Sequence, residues 1–176
     1  MLKKQEVKLY LGTVVLIELL GALGAFVIRD GIAEYGMGIR PVISPPAVLF
    51  PIVWTILYAL MGIGLARIFS SEESMAKTIG LNLFWVQLFF NLMWGVFFFN
   101  LQAYGFALVW LLIMLLLIFM MILVWRLIDP VAAWLQIPYL LWVIFAAVLN
   151  ASVWWMKKKL FIVNQNKFSA DIISVP

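Results

Sequence analysis

Two residue types are missing from this chain, and each absence removes chemistry. There is no cysteine. Disulfides, thiolate metal sites and a cysteine nucleophile are therefore excluded. There is no histidine either, so the commonest metal ligand and the commonest general base are gone. We expect no metal site and no required cofactor. Charge is also scarce: 11% of the 176 residues are Asp, Glu, Lys or Arg, against about 25% in soluble domains. The formal net charge is +4, with lysines gathered towards the chain ends. That pattern fits a membrane surface and topology signal, and we expect no nucleic-acid partner.

What is present is apolar. Hydrophobic residues make up 66% of the chain, and the mean hydropathy is +1.12. A folded chain of this size keeps a large surface, so lipid must cover most of it. Backbone groups in lipid must pair internally, which leaves helices or closed barrels. Barrel strands alternate apolar and polar residues, whereas the runs here are unbroken. The expected fold is all-α, an integral membrane bundle of five transmembrane helices.

The spans fall at about 9–28, 47–69, 78–99, 106–128 and 131–156, each close to the ~20 apolar residues that cross a bilayer. The first follows Lys3, Lys4 and Lys8. A cleavable signal peptide is the rival reading, with Ala22-Leu23-Gly24 as a small-residue cleavage site. The length of the run and the presence of Glu18 inside it favour a retained helix. Residues 29–46 are the longest polar connection and end in Pro45-Pro46, which places Pro46 at the start of the second helix. Ser70 to Ser74 carries helix-start chemistry, and Asp129 before Pro130 is a good N-cap. Lys157, Lys158 and Lys159 end the fifth span at headgroup level. Residues 160–176 read as a disordered or interfacial tail. The other connections are short, so consecutive helices run antiparallel. Basic residues divide evenly between the two sides, which leaves orientation open.

Within the spans, Glu18 is the one acid well inside. It reads either as a proton or ligand contact or as a protonated carboxyl bonded to a neighbouring helix. Gly21 with Ala25, and Gly62 with Ala66, form small-xxx-small pairs that mark close helix packing. On the third span Gln87, Asn91, Trp94 and Phe98 share a face. Trp54, Tyr58, Met61 and Leu65 form a stripe on the second span. Pro138, Trp142, Ala146, Leu149 and Asn150 lie near one face of the fifth. The fourth reads as lipid-facing support. There are nine tryptophans; Trp154 and Trp155, beside lysines, suit the interface belt. Trp54, Trp94 and Trp142 sit among polar or small partners instead. Three converging stripes would wall an apolar pocket suited to a large planar ligand.

These residues resemble the TspO/MBR family, also called translocator proteins or tryptophan-rich sensory proteins. The second span reads Trp54-x-x-Leu57-Tyr58-x-x-Met61-Gly62. The third reads Gln87-Leu88-x-x-Asn91-x-x-Trp94. The fifth reads Pro138-Tyr139-x-x-Trp142-x-x-Phe145-Ala146-x-x-Leu149-Asn150. The three motifs stand in order, and the resemblance covers roughly residues 9–155. The resemblance implies a five-helix bundle, often a homodimer, in the cell membrane if the source is bacterial. It implies porphyrin as ligand, with isoquinoline or benzodiazepine-type compounds besides. Carried over, Trp54, Asn91, Trp94, Trp142 and Ala146 would line the pocket. The stripes add Tyr58, Gln87 and Leu149.

The chain departs from the family in three places. Ile43 stands where the first loop, Arg40-Pro41-Val42-Ile43-Ser44-Pro45-Pro46, usually has Trp. Trp110 replaces an Asp of the fourth span. Ala151 stands where the cholesterol motif needs Tyr. Three functions remain in view: a tetrapyrrole receptor or sensor, a light- or oxygen-dependent porphyrin-degrading enzyme with Trp54 or Trp142 as the redox residue, and a transporter of tetrapyrroles or sterol-like ligands. The sequence offers no conventional catalytic constellation and no visible inverted repeat.

Overall fold

The computed structural model describes residues 4–38, 41 and 43–173, with side chains among these up to 163 and at 165. Arg40 and Val42 of the first-loop motif lie outside the described residues, as does Lys3. The described residues form α1 (Lys4–Val27), α2 (Arg29–Met37), α3 (Leu49–Phe69), α4 (Met75–Gly95), α5 (Tyr104–Ile128), α6 (Pro130–Trp134) and α7 (Ile137–Ile173). Five stretches are long and apolar enough to cross a membrane: Lys4–Val27, Leu49–Phe69, Met75–Asn100, Tyr104–Ile128 and Pro130–Val163. The chain is a multi-pass helical membrane protein, as the unbroken apolar runs imply.

Helix boundaries follow local chemistry. The Ser74 hydroxyl accepts from the Lys77 amide, 3.1 Å, and caps α4. The Lys77 side chain is buried, and its Nζ donates to the carbonyls of Phe69 and Ser71 at 2.9 and 2.8 Å. Those carbonyls have no helical partner at the end of α3, so the lysine closes the turn. Asp129 caps α6, its Oδ1 accepting from the amides of Val131 and Ala132 at 2.8 and 3.2 Å. Its Oδ2 also pairs with Arg67 Nε at 2.8 Å, joining the end of α3 to the start of α6. Burial alone raises the Asp129 carboxyl pKa. The Arg67 hydrogen bond and charge and the two capping amides outweigh that and hold it below its ordinary 3.8.

Four segments differ from the sequence expectation. The polar stretch after α1 is largely helix, not loop: α2 occupies Arg29–Met37. The next helix begins at Leu49, after a turn in which the Leu49 amide donates to the Pro46 carbonyl, 2.9 Å. The fifth span is broken at Leu135–Gln136. Pro138 has no N–H to donate and its ring crowds the preceding turn, so the helix restarts there. Finally, α7 continues past Lys157–Lys159 to Ile173. Lysine is a good helix former and sets the headgroup level without ending a helix.

The helices close into a ring. α1 packs on α3, α3 on α6, α5 on α6 and α7, α4 on α5, and α4 back on α1. Small residues set the close approaches. A Cβ at Gly62 would lie 2.6 Å from the Val14 Cα, so α1 and α3 touch through backbone there. A Cβ at Gly80 would lie 2.8 Å from the Trp125 ring, whose Nε1 donates to the Gly80 carbonyl at 3.1 Å. α5 is more than lipid-facing support. Ala107, Leu111, Met114, Ile118, Met121 and Trp125 form a buried stripe that fills the core against α4 and α7.

Candidate ligand-binding site

A cavity of about 470 Å³ lies between α1, α2, α3 and α4. The antiparallel order of the helices sets its layers. Glu18, Tyr58 and Asn91 form the floor. Ala22, Trp54, Leu92 and Trp94 form the middle. Ile28, Ile32, Tyr35, Phe50 and Phe99 surround the other end. Gly21 leaves room for the Tyr58 ring, which occupies the space a Cβ would need.

The aromatic walls are held from behind. Trp54 stacks on Tyr58 with ring centroids 5.3 Å apart. The Tyr58 hydroxyl donates to Asn91 Oδ1 at 2.9 Å, and Asn91 Nδ2 donates to the Tyr139 hydroxyl at 3.1 Å. Tyr139 donates in turn to Gln87 Oε1 at 2.8 Å. This chain ties α3, α4 and α7 together and plugs the bundle centre behind the floor. Trp94 presents its ring to the cavity while its Nε1 donates to Asn150 Oδ1 at 3.2 Å. Asn150 Nδ2 donates to the Tyr104 carbonyl at 2.8 Å, at the first turn of α5.

A π-helical turn, Val96–Asn100, extends α4 at the far end of the cavity. The Leu101 amide reaches back to the Val96 carbonyl, 3.0 Å, widening the turn. The widened turn supports α2. Phe98 and Phe99 pack on the Tyr35 ring with centroids 5.4 and 5.6 Å away. Asn100 Nδ2 donates to the Val27 carbonyl at 3.1 Å, and Gln102 Nε2 to Glu34 Oε1 at 2.8 Å.

Of the residues singled out by sequence, Trp54, Tyr58, Asn91 and Trp94 meet in this cavity. Gln87 does not line it; it lies fully buried one layer deeper, bonded to Tyr139. Trp142, Ala146 and Leu149 do not line it either. Trp142 is half-buried behind Phe50, edge-on at 5.8 Å, and packs on Phe145 at 5.4 Å. Of the two redox candidates, Trp54 reaches the cavity and Trp142 stops at Phe50. Glu18 lines the floor, half-buried. Ile43, at the position of the loop Trp, is exposed on the surface. Sequence reasoning overlooked Tyr35, Phe50 and Phe99. Ile28, Ile32 and Tyr35 follow an i, i+4, i+7 spacing that signals a helical face inside the polar stretch. Phe50 extends the Trp54 stripe by one turn. Among the described residues, no group of three or more acids is placed to hold a metal ion.

The sequence pattern of the TspO/MBR family matches residues 13–156, which include every wall of this cavity. The chain belongs to the TspO/MBR family. Its relatives span bacteria and animals. The tryptophan-rich protein TspO of Chlorobaculum tepidum is 35% identical over 116 residues, covering 65% of this chain and 73% of that one. Protein CrtK of Rhodobacter capsulatus is 33% identical and covers 76% and 83%. The translocator protein of Ovis aries is 34% identical and covers 76% and 81%. The family's tryptophan-rich character has a physical counterpart here in Trp54 and Trp94, which face each other's helices across one space.

Proposed function

We propose that this protein is a membrane receptor or sensor that binds porphyrins and similar flat apolar ligands, isoquinoline or benzodiazepine-type compounds among them, in the α1–α4 cavity. No further cofactor enters this reading. One observation carries it: Trp94 and Tyr58, held by buried hydrogen bonds, and Trp54, stacked on Tyr58, wall an apolar space with few polar contacts. Its volume of about 470 Å³ falls within the 300–1,000 Å³ typical of small-molecule sites. Rings fixed before binding lose little freedom when a ligand stacks on them, so area burial converts well into affinity.

Protoporphyrin IX titrated into the detergent-solubilised protein is expected to quench tryptophan fluorescence saturably. Linear, non-saturating quenching would remove the proposal. A second reading, oxygen-dependent breakdown of bound porphyrin under light, draws support from Trp54, a redox-competent ring on the cavity wall. It requires faster loss of porphyrin absorbance with the protein than in detergent alone, slowed by Trp54→Phe. Equal rates would discard it.

A further inference from the structure

Among the described residues the cavity wall carries one carboxyl group, that of Glu18, and no lysine or arginine. Glu18 lies in the floor layer, about ten residues from the end of α1 that meets α2. Among the described residues it makes no hydrogen bond and no ion pair. A carboxylate at membrane depth without a counter-charge is costly, and an opposite charge within a few ångströms relieves that cost. Two donors of the wall, those of Tyr58 and Trp94, are already committed, while Trp54 and Thr55 lie on the wall away from Glu18's own helix. The Tyr58 hydroxyl proton goes to Asn91 and the Trp94 N–H to Asn150. An anionic group entering the floor would therefore oppose ionisation of Glu18 and meet two spent donors. A cationic group would meet a carboxyl with no other partner among the described residues and would favour its ionised form.

We propose that Glu18 makes this cavity selective for flat apolar ligands bearing a cationic nitrogen, held at the floor with the ring system between Trp54 and Trp94. The proposal rests on the reading that flat ligands enter this cavity, and it refines which end enters first. A porphyrin, whose carboxylates are repelled from the floor, enters with those groups towards Tyr35 and Phe50. The selectivity belongs to one side chain, so an isosteric change isolates it.

The test uses three probes with one ring system: 1-pyrenemethylammonium, 1-pyrenemethanol and 1-pyrenecarboxylate. Each is titrated into wild-type and Glu18→Gln protein in phosphatidylcholine nanodiscs, following energy transfer from tryptophan to pyrene. Displacement by protoporphyrin IX separates cavity-bound probe from probe dissolved in lipid. Glu18→Gln is expected to weaken the ammonium about tenfold or more, to strengthen the carboxylate, and to leave the alcohol within about twofold. The unchanged alcohol reports that the variant is folded and its cavity intact. Probes that are displaced by porphyrin but respond equally to Glu18→Gln would overturn the selectivity while leaving the cavity reading standing. Probes that porphyrin does not displace at all would overturn both.

Discussion

Asn91 joins three helices through one buried side chain. It accepts from Tyr58 and donates to Tyr139, so one amide satisfies two phenols from two other helices. Replacing it by leucine leaves both phenols short of a partner. Interhelical hydrogen bonds in membranes average about 0.6 kcal/mol each, and an orphaned buried group adds to that. Asn91→Leu is expected to cost about 1–2 kcal/mol in reversible unfolding from mixed micelles. Gln87→Leu should cost clearly less. Its amide nitrogen has no partner among the described residues, and Tyr139 keeps the Met114 sulfur at 3.8 Å as an alternative acceptor. Equal losses for the two variants would show that the chain of bonds is not centred on Asn91. The inward face of Gln87, Asn91 and Trp94 was legible because helical spacing lies within one segment. Their partners were not, because Tyr58, Tyr139 and Asn150 lie 33, 48 and 56 positions away from the residues they meet.

Helices end where a side chain or a proline tells them to, and the joint at Asp129 shows how much rests on one such residue. It caps α6 and pairs with Arg67 of α3. Its carboxyl is held below 3.8, so the folded state prefers the ionised form. The stability this confers is fully present above 3.8 and is lost as pH falls below it, through the lowered folded value. Asp129→Asn keeps a capping oxygen but loses the charge, so at neutral pH it should be less stable by about 1 kcal/mol. Melting temperatures recorded from neutral to acid pH should then converge between wild type and variant below 3.8. Parallel curves across that range would mean the carboxylate is not the source. Close packing offers a second check on the same elements. Gly62→Val forces a side chain against the Val14 backbone and should destabilise by about 1–3 kcal/mol in the same assay. Caps such as Ser74 and Asp129 were readable because their chemistry is local. The helix α2 was not, because its apolar residues are few and its stability comes from packing Tyr35 on Phe98 and Phe99. The continuation of α7 past three lysines was equally hidden, since a lysine run marks the membrane edge whether or not the helix goes on.

The arrangement of whole helices decides which aromatic residues share a space. Hydropathy alone finds five spans, but it says nothing about their order around the ring. Here α7 lies beyond α3 from α1, and Tyr139, Tyr58, Asn91 and Gln87 fill the centre between them. A cavity opening against α1 and α2 therefore excludes the inward stripe of α7. That is why the stripes do not line one pocket: on α7 Ala146, Leu149 and Asn150 are buried as read, but Pro138 is exposed and Trp142 half-buried, and Tyr139 and Val143 carry the rest of the inward face. Trp142 does not line the cavity and packs on its wall residue Phe50. The consequence is a measurable order among tryptophans that otherwise look equivalent. A directly stacking base or ring contact is worth about 1–3 kcal/mol on removal, whereas a ring acting through Phe50 loses only support. Trp54→Ala and Trp94→Ala should each weaken protoporphyrin IX binding by about tenfold or more, and Trp142→Ala by about threefold or less. Isothermal titration in nanodiscs, which does not depend on how many tryptophans remain to be quenched, is the measurement to use. A loss at Trp142 as large as that at Trp54 would place the ligand between α3 and α7, and the floor built by Glu18, Tyr58 and Asn91 would then not be where it sits.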